Sequence, residues 1–551
     1  FPFDPPTKTP RRDDVFATFF RGVVMTRRVR NVDMSDWDDG WGDDSWSGGW
    51  DEGYVKPKPK PKVTPKAKGN VIPGMAPAKA KSSAKAAAKA EAKPKAEAKP
   101  KAESFEPPAR KEAEEQVELP PEAPADDRPT ISLVVVGHVD AGKSTLMGHL
   151  LCLVGQVSSK QLHKFEKESK EMGKASFFYA WVLDEGDDER SRGVTIDVCV
   201  KHFTTKSRQF TILDAPGHRD FVPNMVHGAV QADVAILVVD VSHFEAGFDR
   251  GGQTKEHLQL IRALGISNVV VAVNKLDTCS WDQKVFEETK RRVHDYMTGP
   301  EVGFKQNSVQ FVPLSGFSGE NMLERKEPKL SWWTGPTLIE ALDQLPAPPR
   351  PSASAPLRLC VSDVYRSGAN TCLSGKVVSG TISVGQKVVL QPSNEQTTVK
   401  SLQLREAPTR SAKAGDHLDS VLVPVEPQFA SIGGVISERS PVPVSDTLQV
   451  QILVFDTEVP LMRGAQLMCY LHTETLTATL VRLEKLIVKG EAQERRPKCL
   501  VKGNNAIVWL QLNEKVCVEP KSASSAVTPL SRFVLRDRGR TVGAGVVLAV
   551  Q

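Results

Sequence analysis

The sequence predicts an α/β domain built on a parallel sheet with helices on both faces, then two antiparallel β-barrels, with an extension lacking a core at the N-terminal side. Three observations carry this. Between Ile131 and about Pro346, short β-branched runs alternate with helix-length segments, the pattern of parallel strands joined by helical crossovers. After "PAPPRPSASAP" at 346–356 the strands become short and turn-punctuated, and no comparable helix follows. Before Ile131, residues 53–128 hold almost no large apolar side chains, so burial cannot offset the entropy of ordering them.

At 551 residues the chain is too long for one core, since domains usually run about 100–200 residues. Residues 1–128 are therefore expected to be a disordered extension. It contains an acidic stretch at 33–52, where Trp37, Trp41, Trp46 and Trp50 account for four of nine tryptophans, and a Lys/Pro/Ala-rich stretch at 55–112. Aromatics in a solvated acidic segment either dock into a partner's groove or sit on a tail with no fixed target, and both readings stand. Met25 opens "MTRRVRNVDM", a more natural start than Phe1, so residues 1–24 are given no function.

The α/β domain is expected at 129–346. "FTILDAPG" (210–217), "ADVAILVVDV" (232–241), "NVVVAVNKLD" (268–277) and "VQFVPLSG" (309–316) read as strands buried on both faces, separated by helices at 253–264 and 284–297. The barrels are expected at 354–440 and 441–551, as in "GKVVSGTISVGQKVVLQP" (375–392), where alternating apolar residues flank Gly380 and Gly385.

A net charge of +5 is mild for this length and does not argue for nucleic-acid binding by itself. Lys485, Lys489 and Lys498 in the second barrel could meet nucleic-acid phosphates, although solvated lysines are commoner. The eight cysteines are scattered without C-x-x-C or paired-histidine spacing, which fits reduced thiols in a cytoplasmic protein. No run approaches the roughly 18 apolar residues of a membrane-spanning helix, so no membrane partner is expected.

"GHVDAGKST" at 137–145 matches G-x-x-x-x-G-K-S between a strand and a helix. There the backbone N–H groups of Asp140, Ala141, Gly142, Lys143, Ser144 and Thr145 can wrap a phosphate chain at a helix N-terminus. Lys143 would bridge the outer phosphates and the Ser144 hydroxyl would ligate Mg²⁺. "NKLD" supplies Asn274, Lys275 and Asp277; a carboxylate there accepts both the N1–H and N2–H₂ of guanine, donors that adenine lacks, so GTP is preferred. In "LSGF", Ser315 and Gly316 end the next strand, where their backbone can donate to guanine O6, with Phe317 alongside.

Two segments should sense the third phosphate. In "RSRGVTID" (190–197) Thr195 can ligate Mg²⁺ and bond the γ-phosphate through its backbone. In "DAPGHRDF" (214–221) Asp214 can hold Mg²⁺ through water, the Gly217 N–H can reach the γ-phosphate, and His218 is placed to orient the attacking water.

Together, "GHVDAGKST", "ERSRGVTID", "DAPGHRDF", "NKLD" and "SGFSGEN" resemble the translational GTPases of the elongation-factor 1-alpha class, over residues 131–551. The resemblance implies a P-loop GTPase domain and two barrels. It makes Asp140 a further phosphate-loop ligand, with a monovalent cation as one route, and Val139 and Val194 an apolar gate holding His218 from the water until the ribosome rearranges it. "GHRDFVPNM" (217–225) and "FEAGFDRGGQT" (244–254) are more similar to the release and rescue branches than to the tRNA carrier. "SFFYAWVLDEGDDERSRGVTID" (176–197) departs from the termination GTPase. The resemblance to Hbs-type rescue GTPases implies a monomer that pairs with Pelota, a tRNA mimic, and works near the ribosomal A site in no-go and non-stop decay. A termination GTPase paired with the class-one release factor, or a carrier of aminoacyl-tRNA, are the alternatives.

Overall fold

The computed structural model describes residues 128–551 except 185, 250–251, 369, 439, 489–490, 494–495 and 522–527. The expectations for residues 1–127, including the tryptophan cluster, lie outside the described residues.

The first domain is a six-stranded sheet ordered β2-β3-β1-β4-β5-β6, formed by β1 (Thr130–Gly137), β2 (Cys199–Thr204), β3 (Gln209–Asp214), β4 (Val234–Asp240), β5 (Asn268–Asn274) and β6 (Val309–Pro313). All neighbours run parallel except β2, an antiparallel edge strand paired to β3 from Cys199 opposite Asp214 to Thr204 opposite Gln209. The near-continuous apolar runs are explained by helices on both faces. Val134, Leu237 and Val271 enter one buried cluster, and Leu133, Ile236 and Val270 enter the other. The helices are α1 (Lys143–Leu153), α2 (Ser159–Glu171), α3 (Asp187–Arg192), α4 (Val222–Val230), α5 (Phe244–Phe248), α6 (Gln253–Ala263), α7 (Gln283–Thr298) and α8 (Leu338–Asp343). The sequence reading missed β2, whose residues are mostly half-buried and carry no strong alternation.

Two antiparallel barrels follow. Strands from Arg358–Ser367 to Val435–Ser437 form an eight-stranded sheet around a core that includes Leu359, Leu373, Val421 and Ile436. Strands from Val444–Val454 to Arg540–Val550 form the second sheet, which closes on itself through the pairing of Gln466–Leu471 with Glu474–Val488. All eight cysteines are free. No described helix is long and apolar enough to cross a membrane.

Polar networks seat the first barrel on the α/β domain. Asp233, at the foot of β4, takes a bidentate contact from Arg350 (2.8 and 2.6 Å) and another from Lys376 (2.9 Å). Burial pushes its carboxyl up, but the two cations outweigh this and hold it below the usual range. On the barrel strand His417–Val423, Asp419 meets His202 of β2 at 2.9 Å, and His417 meets Gln231, which caps α4, at 3.0 Å. The second barrel adds an apolar seal: Leu453, Tyr470, Val534 and Ala544 belong to the same buried cluster as α4 and α6. Beside it Glu256 of α6 accepts from Arg536 (3.0 Å) and Thr541 (2.8 Å).

Candidate functional site

The strand order reverses direction at β1, which lies between β3 and β4. A crevice outside the carboxyl ends of the strands is expected at such a switch point, and every predicted site segment converges there. The Gly137–Gly142 loop leaves β1 and enters α1. Gly142 is the helix N-cap at φ 90°, and a Cβ on it would lie 2.7 Å from Asn274 Nδ2, so glycine is required on both counts. No side chain caps α1 and no acidic residue sits in its first turn, which leaves its N–H groups free to meet an anion. The Lys143 ammonium donates to His138 O (3.0 Å) inside the loop. It passes beneath Gly217, where any Cβ would approach it to 2.1 Å. Burial lowers Lys143 to about 8, against the pull of Asp214, Asp140 and Asp184.

Next to Lys143 lies a group of oxygen atoms. Ser144 Oγ and Thr195 Oγ1 are 3.0 Å apart, and Thr195 Oγ1 donates to Asp184 Oδ1 at 3.1 Å. Asp214, the last residue of β3, is fully buried with no hydrogen-bond partner for either carboxylate oxygen. Burial raises its pKa to about 6, and raises that of Asp184 to about 7 with added repulsion from Asp214. Two hydroxyls, an orphaned carboxylate and a second acid form a donor set of hard oxygens, the chemistry that suits Mg²⁺. Among the described residues no group of three or more His, Cys, Asp or Glu could hold a metal, so the hydroxyls are essential to this fit. Sequence reading missed Asp184. In "LDEGDDER" nothing in residue type separates it from the acids around it.

At the far end of the crevice Asn274 is a buried hub. Its Nδ2 donates to Ala141 O, and its Oδ1 accepts from the Lys275 and Gly316 N–H groups, all at 2.8 Å. Lys275, at φ 63°, donates to Asp140 O (2.6 Å) and Asp240 (2.8 Å). Asp277 is left exposed in the turn after β5, with its carboxylate available. The Gly316 N–H, expected to donate to guanine O6, here donates to Asn274 Oδ1 at 2.8 Å, so a contact to the base has to share or replace that bond. The Ser315 N–H likewise bonds Glu320 O at 3.3 Å. Phe317 projects at 54% exposure, and Thr145 is half-buried.

His218 caps the short turn Arg219–Phe221 that runs into α4. Its Nδ1 accepts from the Asp220 N–H (3.2 Å), its ring centre lies 5.7 Å from that of Phe221, and its side chain is 44% exposed. Val139 and Val194, the expected gate, are both half-buried.

Comparison with known proteins agrees with this geometry. Residues 128–348 match the family Elongation factor Tu GTP binding domain, and residues 447–548 match GTP-eEF1A C-terminal domain-like. The chain is 41% identical to Protein HBS1 of Drosophila melanogaster over 435 residues, 78% of this chain. It spans 64% of that protein's length. It is 40% identical to Elongation factor 1-alpha of Aeropyrum pernix over 433 residues, 77% of this chain and 98% of that protein. The fold is shared with the S. cerevisiae Ski7 GTPase-like domain bound to GTP, at a TM-score of 0.65 and 19% identity over 77% of this chain and 98% of that one.

Proposed function

The chain belongs to the elongation factor 1-alpha class of translational GTPases, and on that footing we propose that it is a cytoplasmic ribosome-rescue GTPase of the Hbs type. The GTP-bound protein escorts a tRNA-shaped partner of the Pelota class into the empty A site of a stalled ribosome, near ribosomal RNA and proteins. Hydrolysis to GDP and phosphate then releases that partner. The observation that carries this branch is the 41% identity with Protein HBS1.

The site residues supply the chemistry. Asp277 accepts the two guanine donors, while the loop amides of residues 140–145 and the open end of α1 cradle the phosphates. Lys143 lies where the outer phosphates would fall. Ser144, Thr195 and, through water, Asp214 would hold Mg²⁺, with Asp184 beside them; the ion's chemistry is to neutralise charge on the β- and γ-phosphate oxygens. His218 orients a water for in-line attack on the γ-phosphorus, forming one P–O bond as the bond to the GDP oxygen breaks. Val139 and Val194 keep the ring back until the ribosome moves it.

A second reading, delivery of aminoacyl-tRNA, is favoured by the match to almost the whole of an elongation factor 1-alpha. Capture assays with GTP-loaded protein separate the branches: rescue predicts retention of Pelota, and retention of charged tRNA or the class-one release factor instead would replace it. His218→Ala should slow ribosome-stimulated hydrolysis by about 10³-fold with nucleotide affinity unchanged. Wild-type turnover in that variant would remove His218 from the chemistry.

A further inference from the structure

The segment that carries Thr195 belongs to no helix or strand: α3 ends at Arg192 and β2 begins at Cys199. Two side chains without any role so far fix its backbone. Glu189 Oε1 accepts the N–H groups of both Ile196 (2.9 Å) and Asp197 (3.2 Å). The other oxygen of Glu189 accepts the Gly186 N–H (3.2 Å) and caps α3, so helix capping explains only half of this carboxylate. From the opposite side, Asn224 Nδ2 donates to Ile196 O (2.8 Å) and Asp197 Oδ1 (2.9 Å). Asn224 lies in the first turn of α4, where asparagine is a poorer helix former than alanine, and both bonds lead away from the helix.

We propose that Glu189 and Asn224 are positioning residues for GTP hydrolysis: they clamp Ile196 and Asp197 so that the adjoining Thr195 meets the terminal phosphate, and Asn224 ties this loop to the helix that follows His218. The inference rests on the GTPase reading above. Thr195 Oγ1 has to sit within about half an ångström of its productive place, and a loop without regular structure reaches that only through such supports. Four hydrogen bonds converge on two consecutive residues, Ile196 and Asp197, directly after Thr195, two to a single carboxylate acceptor and two from a single amide donor. Through Asn224 the Thr195 segment and the element bearing His218 move together, so one cannot adopt the reactive geometry while the other lags.

A clamp of this kind separates triphosphate from diphosphate, because GDP has no γ-phosphate for Thr195 to meet. The test uses the full chain with Mg²⁺ and measures affinity for GDP, affinity for a non-hydrolysable GTP analogue, and single-turnover hydrolysis on ribosomes. Asn224→Ala and Glu189→Ala should each weaken the analogue about tenfold and slow hydrolysis at least as much, with GDP affinity unchanged. Glu189→Gln keeps an acceptor oxygen for the loop amides and should recover most of the loss. Equal weakening of both nucleotides, or no change in either, overturns the inference, and Asn224→Ala keeps it testable should the Glu189 variants misfold. A wild-type chain that binds neither nucleotide would instead overturn the GTPase reading on which it stands.

Discussion

The two ends of the crevice are built on opposite principles. At the base end, Asn274 satisfies three backbone groups at 2.8 Å, and Lys275 ties the phosphate loop to Asp240. At the phosphate end, Asp214 has two orphaned oxygens and both buried acids titrate well above their ordinary range. The difference teaches where the ligand contributes. The base end is finished before the nucleotide arrives and can select, whereas the phosphate end keeps two buried acids that Lys143 and Thr195 only partly offset and that a bound cation would relieve further.

The sharpest way to break this contrast is at the selecting end. Asp277→Asn should shift the ratio of guanine to xanthine nucleotide affinity by on the order of 10⁴ toward xanthine, since the amide donates to the carbonyl that replaces the guanine amino group. Unchanged selectivity in competition binding would remove Asp277 from base recognition.

A smaller effect is expected in stability, with opposite signs at the two ends. Asn274→Ala strands buried backbone groups of Ala141 and Gly316 and should destabilise the ligand-free protein by about 2–3 kcal/mol, read by denaturant unfolding. Asp184→Asn should do the reverse at pH 8. The Asp184 pKa is raised in the folded chain to about 7 from 3.8. Its contribution to stability is therefore fully present at low pH and lost as pH rises through 7, and the amide removes that loss. A variant less stable than wild type at pH 8 would mean that Asp184 is not under strain.

The smallest effect is the release of about one proton. Binding of GTP with Mg²⁺ at pH 6.5 should release protons from Asp184 and Asp214, and the release should fade by pH 8.5, where both are already ionised. Calorimetry in two buffers of different ionisation enthalpy reads this directly, and pH-independent release would refute it.

Much of the base end was legible in the chain, because residue type and spacing are themselves the chemistry there: Asn274, Lys275 and Asp277 follow a strand whose continuous apolar run is plain. The competition for the Gly316 N–H was not, since it depends on β5 and β6 lying side by side. At the phosphate end the hydroxyls and Asp214 could be anticipated from their motifs. Asp184, Glu189 and Asn224 could not, because nothing local distinguishes an acid that becomes buried, or an amide that reaches across to a loop, from solvated neighbours of the same type. The seating of the barrels was equally invisible: His202 and Asp419 are 217 residues apart and meet only through the tertiary fold.

The apolar seal between the α/β domain and the second barrel has a practical corollary. Leu453, Tyr470, Val534 and Ala544 complete a cluster begun by Met225, Val226 and Leu258. Truncating the protein after the first domain would leave that greasy face bare to solvent, and a recombinant fragment of this sort is apt to clump during purification. Heating should therefore melt the first domain and the second barrel in a single step, read by calorimetry.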